Sequence, residues 1–456
     1  MQHPIPMPLA AVRQEMSACI KCAACMPVCP TYREARRESM GPRGRLALAV
    51  AMLEGGLNPA DGVMGPIGSC IDCRACVPAC PRHIPLADVF YAAKATLAQA
   101  RAGGLAATLL KAVSHWVIVG NRFRPLLAPG RLAMTLYHGV ADTSPLARLF
   151  PFFRAGRKRA LPDVVARPLT DRYPEVITVP DPRGRVAFFP GCVINFTGTD
   201  IGRATLSALT KLGVEVVLPR DAPCCGIPLL SLGDREGARQ VARDVVARYG
   251  AIQADWVITA CASCGTTLRD TYPQLLKGDA AAQALAAKVL DVTEYITRHT
   301  DYPARAGMLT QTITYHDPCH MARGMNVTAE PRRILRDIAG DGFKEMEAPD
   351  TCCGFGGLFS ALHYDLALEV GARKVERVRQ SGARVVATGC PGCQMQMTDT
   401  LARGGVPARV LHTVELLDMA LDAPPAAPVV AGNVSRNVSF WNMRRTGPKK
   451  TQQQRD

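Results

Sequence analysis

Apolar residues recur along this chain in two rhythms. Four short β-rich runs, Val186 to Phe189, Trp256 to Thr259, Ile313 to Tyr315 and Val385 to Ala387, each stop just before a cysteine. Between them lie longer stretches with helical spacing at residues 199–211, 234–249 and 361–381. Strands alternating with helices predict a parallel α/β sheet, in which ligands collect at the carboxyl ends of the strands. Helix N-termini at that edge present free N–H groups and the positive end of the dipole, so the cysteines are expected to converge there around an anionic group.

Upstream the rhythm is helical throughout. In residues 41–56, Pro42 suits a first turn, Leu46, Val50 and Leu53 share a face, and Gly55-Gly56 ends the helix. A second helix is predicted over 85–104, again closed by a glycine pair. Residues 105–180 differ: LLKAVSHWVIVG and RLAMTLYHGV alternate with prolines and with Arg122, Arg124, Arg131, Arg154, Arg157, Lys158 and Arg159. Two readings stand, a helical linker packed on its own protein or a basic amphipathic stretch lying in a membrane interface. Lys111, Ser114 and His115 interrupt the longest apolar candidate, so no membrane-spanning helix is expected.

The second half of the chain repeats itself. The first copy runs RVAFFPGC (Cys192), PCCG (Cys224, Cys225) and VITACASC (Cys261, Cys264); the second runs TITYHDPC (Cys319), TCCG (Cys352, Cys353) and VVATGCPGC (Cys390, Cys393). Cys192 and Cys319 are 127 residues apart, Cys224 and Cys352 are 128 apart, and Cys261 and Cys390 are 129 apart. Two duplicated domains therefore carry the same five-cysteine site. Five thiolates are one too many for a four-thiolate cubane or for tetrahedral zinc. Adjacent cysteines cannot easily both reach one metal, but they can bind neighbouring irons of an open cluster, and Gly226 and Gly354 give the backbone room to approach. The competing reading is buried structural or redox-active thiols without metal.

The other eight cysteines lie in CIKCAACMPVCP at 19–30 and CIDCRACVPACP at 70–81. The spacing is the ligand run of the bacterial two-cluster ferredoxins, in which the fourth cysteine of each run serves the other cluster. That assigns Cys19, Cys22, Cys25 and Cys80 to one 4Fe-4S cluster and Cys70, Cys73, Cys76 and Cys29 to the other. Pro30 and Pro81 fix φ just past each fourth cysteine, so neither loop is expected to continue as helix. Zinc fits poorly, since it takes two Cys-x2-4-Cys pairs, and a disulfide framework belongs to small secreted domains. MQHPIPMPLAAVRQEM has no basic segment followed by an apolar run, so no signal peptide is expected. A cytoplasmic location follows, with peripheral attachment to the inner membrane as its extension.

The chain has 456 residues, room for two to four domains, and a formal charge of +15 from 54 basic and 39 acidic side chains. Such an excess can signal nucleic acid. Here an oxidised thiolate-bound cubane brings about −2, so two to four clusters offset roughly 4 to 8 charges. No nucleic-acid motif accompanies the charge, and a nucleic-acid partner is not expected.

Two ferredoxin runs followed by two complete Cys-Cys-Gly motifs resemble the iron-sulfur subunits of glycolate oxidase and of related D-lactate and anaerobic glycerol-3-phosphate dehydrogenases, over roughly residues 15–420. The chain is also similar to the catalytic subunit of membrane-bound heterodisulfide reductases, whose Cys-Cys-Gly motifs hold non-cubane clusters. In many glycolate-oxidase-type subunits the second motif is incomplete, whereas Cys390 completes it here. Motifs, spacing and repeats divide the chain into an α-helical ferredoxin domain (1–104), a basic amphipathic helical linker (105–180), two α/β Cys-Cys-Gly domains (181–310 and 311–422) and a tail (423–456) that matches neither family and reads as disordered.

The resemblance implies two 4Fe-4S clusters and one or two further iron-sulfur clusters in an electron-transfer subunit, not itself catalytic on the hydroxy acid. The alternative is a subunit reducing a disulfide at a Cys-Cys-Gly cluster. No dinucleotide fingerprint is present, and GFGG at 354–357 reads as a cluster loop, so flavin chemistry is expected on an FAD-binding partner, with membrane quinone as the destination. His316, Asp317 and His320 flank Cys319 in YHDPCH, either as structural residues or as groups that tune or protonate a cluster.

Overall fold

The four apolar runs form strands because each is short, rich in β-branched or aromatic residues and largely buried, as parallel sheets require. The computed structural model describes residues 7–58, 62–100, 105–139 and 159–423. Eight strands occur among them: β1 (Val176–Ile177), β2 (Gly184–Phe188), β3 (Val214–Val217), β4 (Trp256–Thr259), β5 (Val289–Asp291), β6 (Ile313–His316), β7 (Val385–Thr388) and β8 (Arg409–His412). The first repeat orders its sheet β1-β3-β2-β4-β5, with only β1 antiparallel; the second has a parallel sheet β6-β7-β8. This is the α/β architecture expected, with a larger first sheet than second.

The covering helices Thr199–Lys211, Arg235–Gly250 and Tyr364–Ser381 fall close to their predicted spans. The last starts late because Leu358–Leu362 makes its own turn and His363 breaks the run.

The two repeats exchange their final helices. Helix Thr413–Asp422 of the second lies on Thr199–Lys211 of the first, where buried Asp418 meets Arg203 at 3.2 Å and Lys211 at 2.7 Å. Reciprocally, Val292–His299 of the first packs beside Ala329–Ala339 of the second, with Arg298 bridging Glu294 and Glu330. One core follows, in which Phe188, Val216 and Ile258 are continuous with Tyr315, Val385, Leu411 and Leu416.

The N-terminal segment has its own core, built by helices Pro42–Leu53 and Leu86–Ala100 with Leu9, Met16, Val63 and Ile67. The expectation about proline fails at Pro30. A helix, Pro30–Ala35, starts there at once with Cys29 as its N-cap. The first turn of a helix has no use for the N–H that proline lacks, so proline after a cysteine initiates as readily as it interrupts. After Pro81 the chain makes a turn, as expected.

Downstream, helices Leu105–Ser114 and Leu127–Gly139 flank a π-turn at His115–Val119. Ile118 and Val119 pack on the shared core, His115 pairs with Asp234, and Arg159 reaches Ser360 and Gln396 of the second repeat. Leu109, Val113, Trp116, Leu126, Leu132 and Leu136 nevertheless stay exposed. Arg154, Arg157, Lys158 and the tail from 424 lie outside the described residues. Among the described residues no helix is long and apolar enough to cross a membrane.

Candidate metal centres

Each ferredoxin-type run folds into a loop whose backbone alternates in hand. Lys21 (φ 58°) and Ala23 (φ 65°) flank Cys22, and Asp72 (φ 60°) and Arg74 (φ 57°) flank Cys73. Left-handed residues between right-handed ones turn successive N–H groups into one concavity, the kind of nest that receives anions and iron-sulfur groups. Four non-glycine residues in this region cost about 1–3 kcal/mol each, and the same pattern in both loops marks it as a requirement of what they hold.

Two recesses of about 390 Å³ open onto these loops. Cys19, Cys22, Cys25 and Cys80 line the first; Cys29, Cys70, Cys73 and Cys76 line the second. The fourth cysteine of each run thus sits with the first three of the other run. Beside the second recess, Arg45 is 1% exposed and donates to Thr31 Oγ1 (2.8 Å), Ser69 Oγ (3.0 Å), the Pro66 carbonyl (2.7 Å) and Cys29 Sγ (3.7 Å). A buried cation needs an anion nearby, and thiolates around an anionic cluster provide it. Burial pushes the Cys73 thiol up to about 12 and raises Cys76 further, so these sulfurs ionise only against a metal's charge. The residues fit iron-sulfur clusters.

In the first repeat Cys192 follows β2, Cys261 follows β4, and both stand at helix N-termini. Cys319 after β6 and Cys390 after β7 repeat the arrangement. Cys224 Sγ is 3.7 Å from Cys192 Sγ, while Cys225 lies beside Cys264 as well as Cys224. In the second repeat Cys353 Sγ is 3.3 Å from Cys393 Sγ. Gly226 and Gly354 have φ of 84° and 88° and donate their N–H groups to Cys224 Sγ (3.5 Å) and Cys352 Sγ (3.4 Å). At Gly354 a Cβ would lie 2.3 Å from the Ala367 carbonyl oxygen, so glycine is required there for close approach as well as for φ.

The sites adjoin. The Cys261 thiol of the first repeat lies beside the Cys390 thiol of the second, and Ala262 N–H donates to the Gly389 carbonyl at 3.3 Å. On its other side the second repeat meets the second ferredoxin loop, where Ile71 and Cys73 form one buried cluster with Phe359, Cys319 and Cys352. A Cβ on Gly356, in the GFGG loop, would stand 2.9 Å from Ile71 Cγ2.

Of the three polar residues flanking Cys319, His320 bridges Ser263 Oγ (2.9 Å) and the Asp72 carbonyl (3.0 Å), and Asp317 is held bidentately by Arg332 at 2.6 and 2.9 Å. His316 Nδ1 meets the Pro349 carbonyl at 3.2 Å. Sequence reasoning missed Arg45 and Lys374, buried beside the second recess and near Pro349; a cation inside an apolar helix face is the signal that marks them.

Converging buried thiols on anion-receiving loops and helix N-termini define an iron-sulfur protein of the oxidoreductase class. Residues 15–84 match the 4Fe-4S dicluster domain, and residues 186–269 and 313–398 each match the cysteine-rich domain. A probable glycolate oxidase iron-sulfur subunit of Bacillus subtilis (strain 168) is 29% identical over 90% of this chain and 94% of its own length. A fumarate reductase (CoM/CoB) subunit of Methanothermobacter marburgensis is 29% identical over 89% of this chain and 73% of its own. Lactate utilization protein A of an Exiguobacterium species is 30% identical over 51% of this chain and 96% of its own. The chain belongs to the family of cysteine-rich-domain iron-sulfur proteins that includes the glycolate oxidase iron-sulfur subunit and lactate utilization protein A, and it carries multiple iron-sulfur clusters.

Proposed function

We propose that this chain is the electron-transfer subunit of a 2-hydroxy-acid dehydrogenase complex acting on glycolate or D-lactate, receiving electrons from an FAD-binding subunit and delivering them toward membrane quinone. Bound clusters supply one-electron uptake and release. Cys19, Cys22, Cys25 and Cys80 hold one 4Fe-4S cluster, Cys29, Cys70, Cys73 and Cys76 the other, and the two five-cysteine sets hold the remainder.

The observation that carries the reading is the unbroken file of cysteine sites, joined by the packing of Cys73 near Cys319 and by the thiol contact of Cys261 with Cys390. Arg45, Arg323 and the left-handed loop residues hold charge and backbone in place along it. The exposed leucines and Trp116 on residues 105–139, with exposed Lys111, Arg122 and Arg131, support peripheral contact with an anionic lipid surface.

Two observations test this. Cys25→Ser and Cys80→Ser should each lose the same cluster by low-temperature EPR, and Cys29→Ser the other; Cys25 and Cys29 behaving as one cluster refutes the assignment. Hydroxy acid added with a purified FAD-binding 2-hydroxy-acid dehydrogenase subunit should reduce the iron-sulfur signals, whereas the chain alone should not respond.

A second reading, disulfide reduction at a Cys-Cys-Gly site, draws on the completeness of both motifs and on the relative named for CoM and CoB. Thiol release from small disulfides by the reduced protein, abolished by Cys224→Ser or Cys352→Ser, would establish it in place of the relay.

A further inference from the structure

The two repeats differ at one buried position beside otherwise matching cysteines. Three residues before its first cysteine, the first repeat has Phe189 and the second has His316, both essentially without solvent exposure. Phe189 fills its corner by packing on the Tyr249 ring, centroids 5.1 Å apart. His316 instead faces thiols: a ring nitrogen and the Sγ atoms of Cys353 and Cys393 all lie within 4.8 Å of one another.

The imidazole is oriented for this. Its Nδ1 lies against the Pro349 carbonyl and must carry the proton to donate there. The same carbonyl accepts from Asp317 N–H at 3.1 Å and from buried Lys374 Nζ at 2.8 Å, which fixes its place. In the neutral ring Nε2 is then a lone pair, and it is buried with no hydrogen-bond partner among the described residues. A histidine whose far N–H binds a backbone carbonyl while its near nitrogen points at a metal is how proteins set a histidine ligand. Imidazole is also a competent donor to iron, and replaces cysteine at one iron of Rieske centres.

We propose that His316 Nε2 is a nitrogen ligand to iron in the second Cys-Cys-Gly site, a donor that the first repeat replaces with Phe189. This rests on the reading that the second repeat binds a cluster. The two sites then differ in donor set, five thiols in one and five thiols with an imidazole in the other, despite their common motif.

Full-length protein purified anaerobically with 15N-histidine tests it. Pulsed EPR of the wild type should show one strongly coupled histidine nitrogen, absent from His316→Phe, which installs the residue the first repeat already accommodates. In a redox titration one midpoint should move in that variant while the others stay. His316→Cys should keep the iron content without the nitrogen coupling. Iron beyond the two N-terminal clusters with no strong histidine coupling, or a coupling that survives His316→Phe, overturns the inference alone. Wild-type protein holding no iron beyond those two clusters overturns both the inference and the cluster reading of the second repeat.

Discussion

The two Cys-Cys-Gly repeats carry the same five cysteines at nearly constant separation, but their surroundings differ. The first rests on five strands and touches the second repeat through Cys261; the second rests on three strands and is wedged between the first and the ferredoxin loop that carries Cys73. Duplication copied a ligand set. Position in the chain then decided which copy lies against the ferredoxin loop, so the second repeat stands between that loop and the first repeat, which ends the file.

The sharpest break between them is expected from cysteine loss. Cys319→Ser should silence both repeats when electrons enter through the N-terminal domain, slowing delivery to the first repeat more than about a hundredfold, or about 3 kcal/mol on the barrier. Cys192→Ser should silence the first repeat only. Rapid-freeze EPR after a reductant pulse reads both, and equal effects would show that the second repeat does not stand between the N-terminal domain and the first.

Next come the glycines. Gly226→Ala should cost about 1–2 kcal/mol, the price of a left-handed alanine, since its Cβ comes no closer than 3.3 Å to the Val241 side chain and 3.8 Å to the Ala238 backbone. Gly354→Ala adds a clash with the Ala367 carbonyl and should cost about 2–5 kcal/mol. Denaturant unfolding of both variants checks the ranking. The smallest effect is expected at Arg323, which donates to the Cys73 carbonyl (3.3 Å) and pairs with Asp350 (2.6 Å). Arg323→Ala should cost about 1 kcal/mol and shift only signals from the second repeat and its ferredoxin neighbour, leaving the first repeat untouched.

Much of this arrangement is legible in the chain because buried parallel strands need continuous apolar runs, which is why β2, β4, β6 and β7 stand out. The strands that do not stand out have local reasons. β1 is two residues long, β3 alternates as VEVV, β5 is embedded in the helical-looking AAQALAAKVLDV, and β8 starts on exposed Arg409. The cysteines group into four sets by spacing alone. Which set faces which depends on the crossing of the terminal helices and on the fit of the GFGG loop against Ile71, long-range packing that no local pattern encodes. The contrast of FFPGC with YHDPC is visible once the repeats are aligned on their first cysteines; the direction of the His316 ring is not. Left-handed Lys21, Ala23 and Arg74 could not be foreseen, since none is a residue that favours that region; only Asp72 is of a type enriched there.

The exchange of final helices also sets a timetable for biosynthesis. Helix Thr199–Lys211 keeps its covering face bare until Thr413–Asp422 has left the ribosome. At about 5–20 residues per second that interval is about 10–40 s. From Cys264 onward, for about 8–32 s of that interval, the first repeat has all five of its cysteines but not its lid, so iron delivered during synthesis meets an uncovered site.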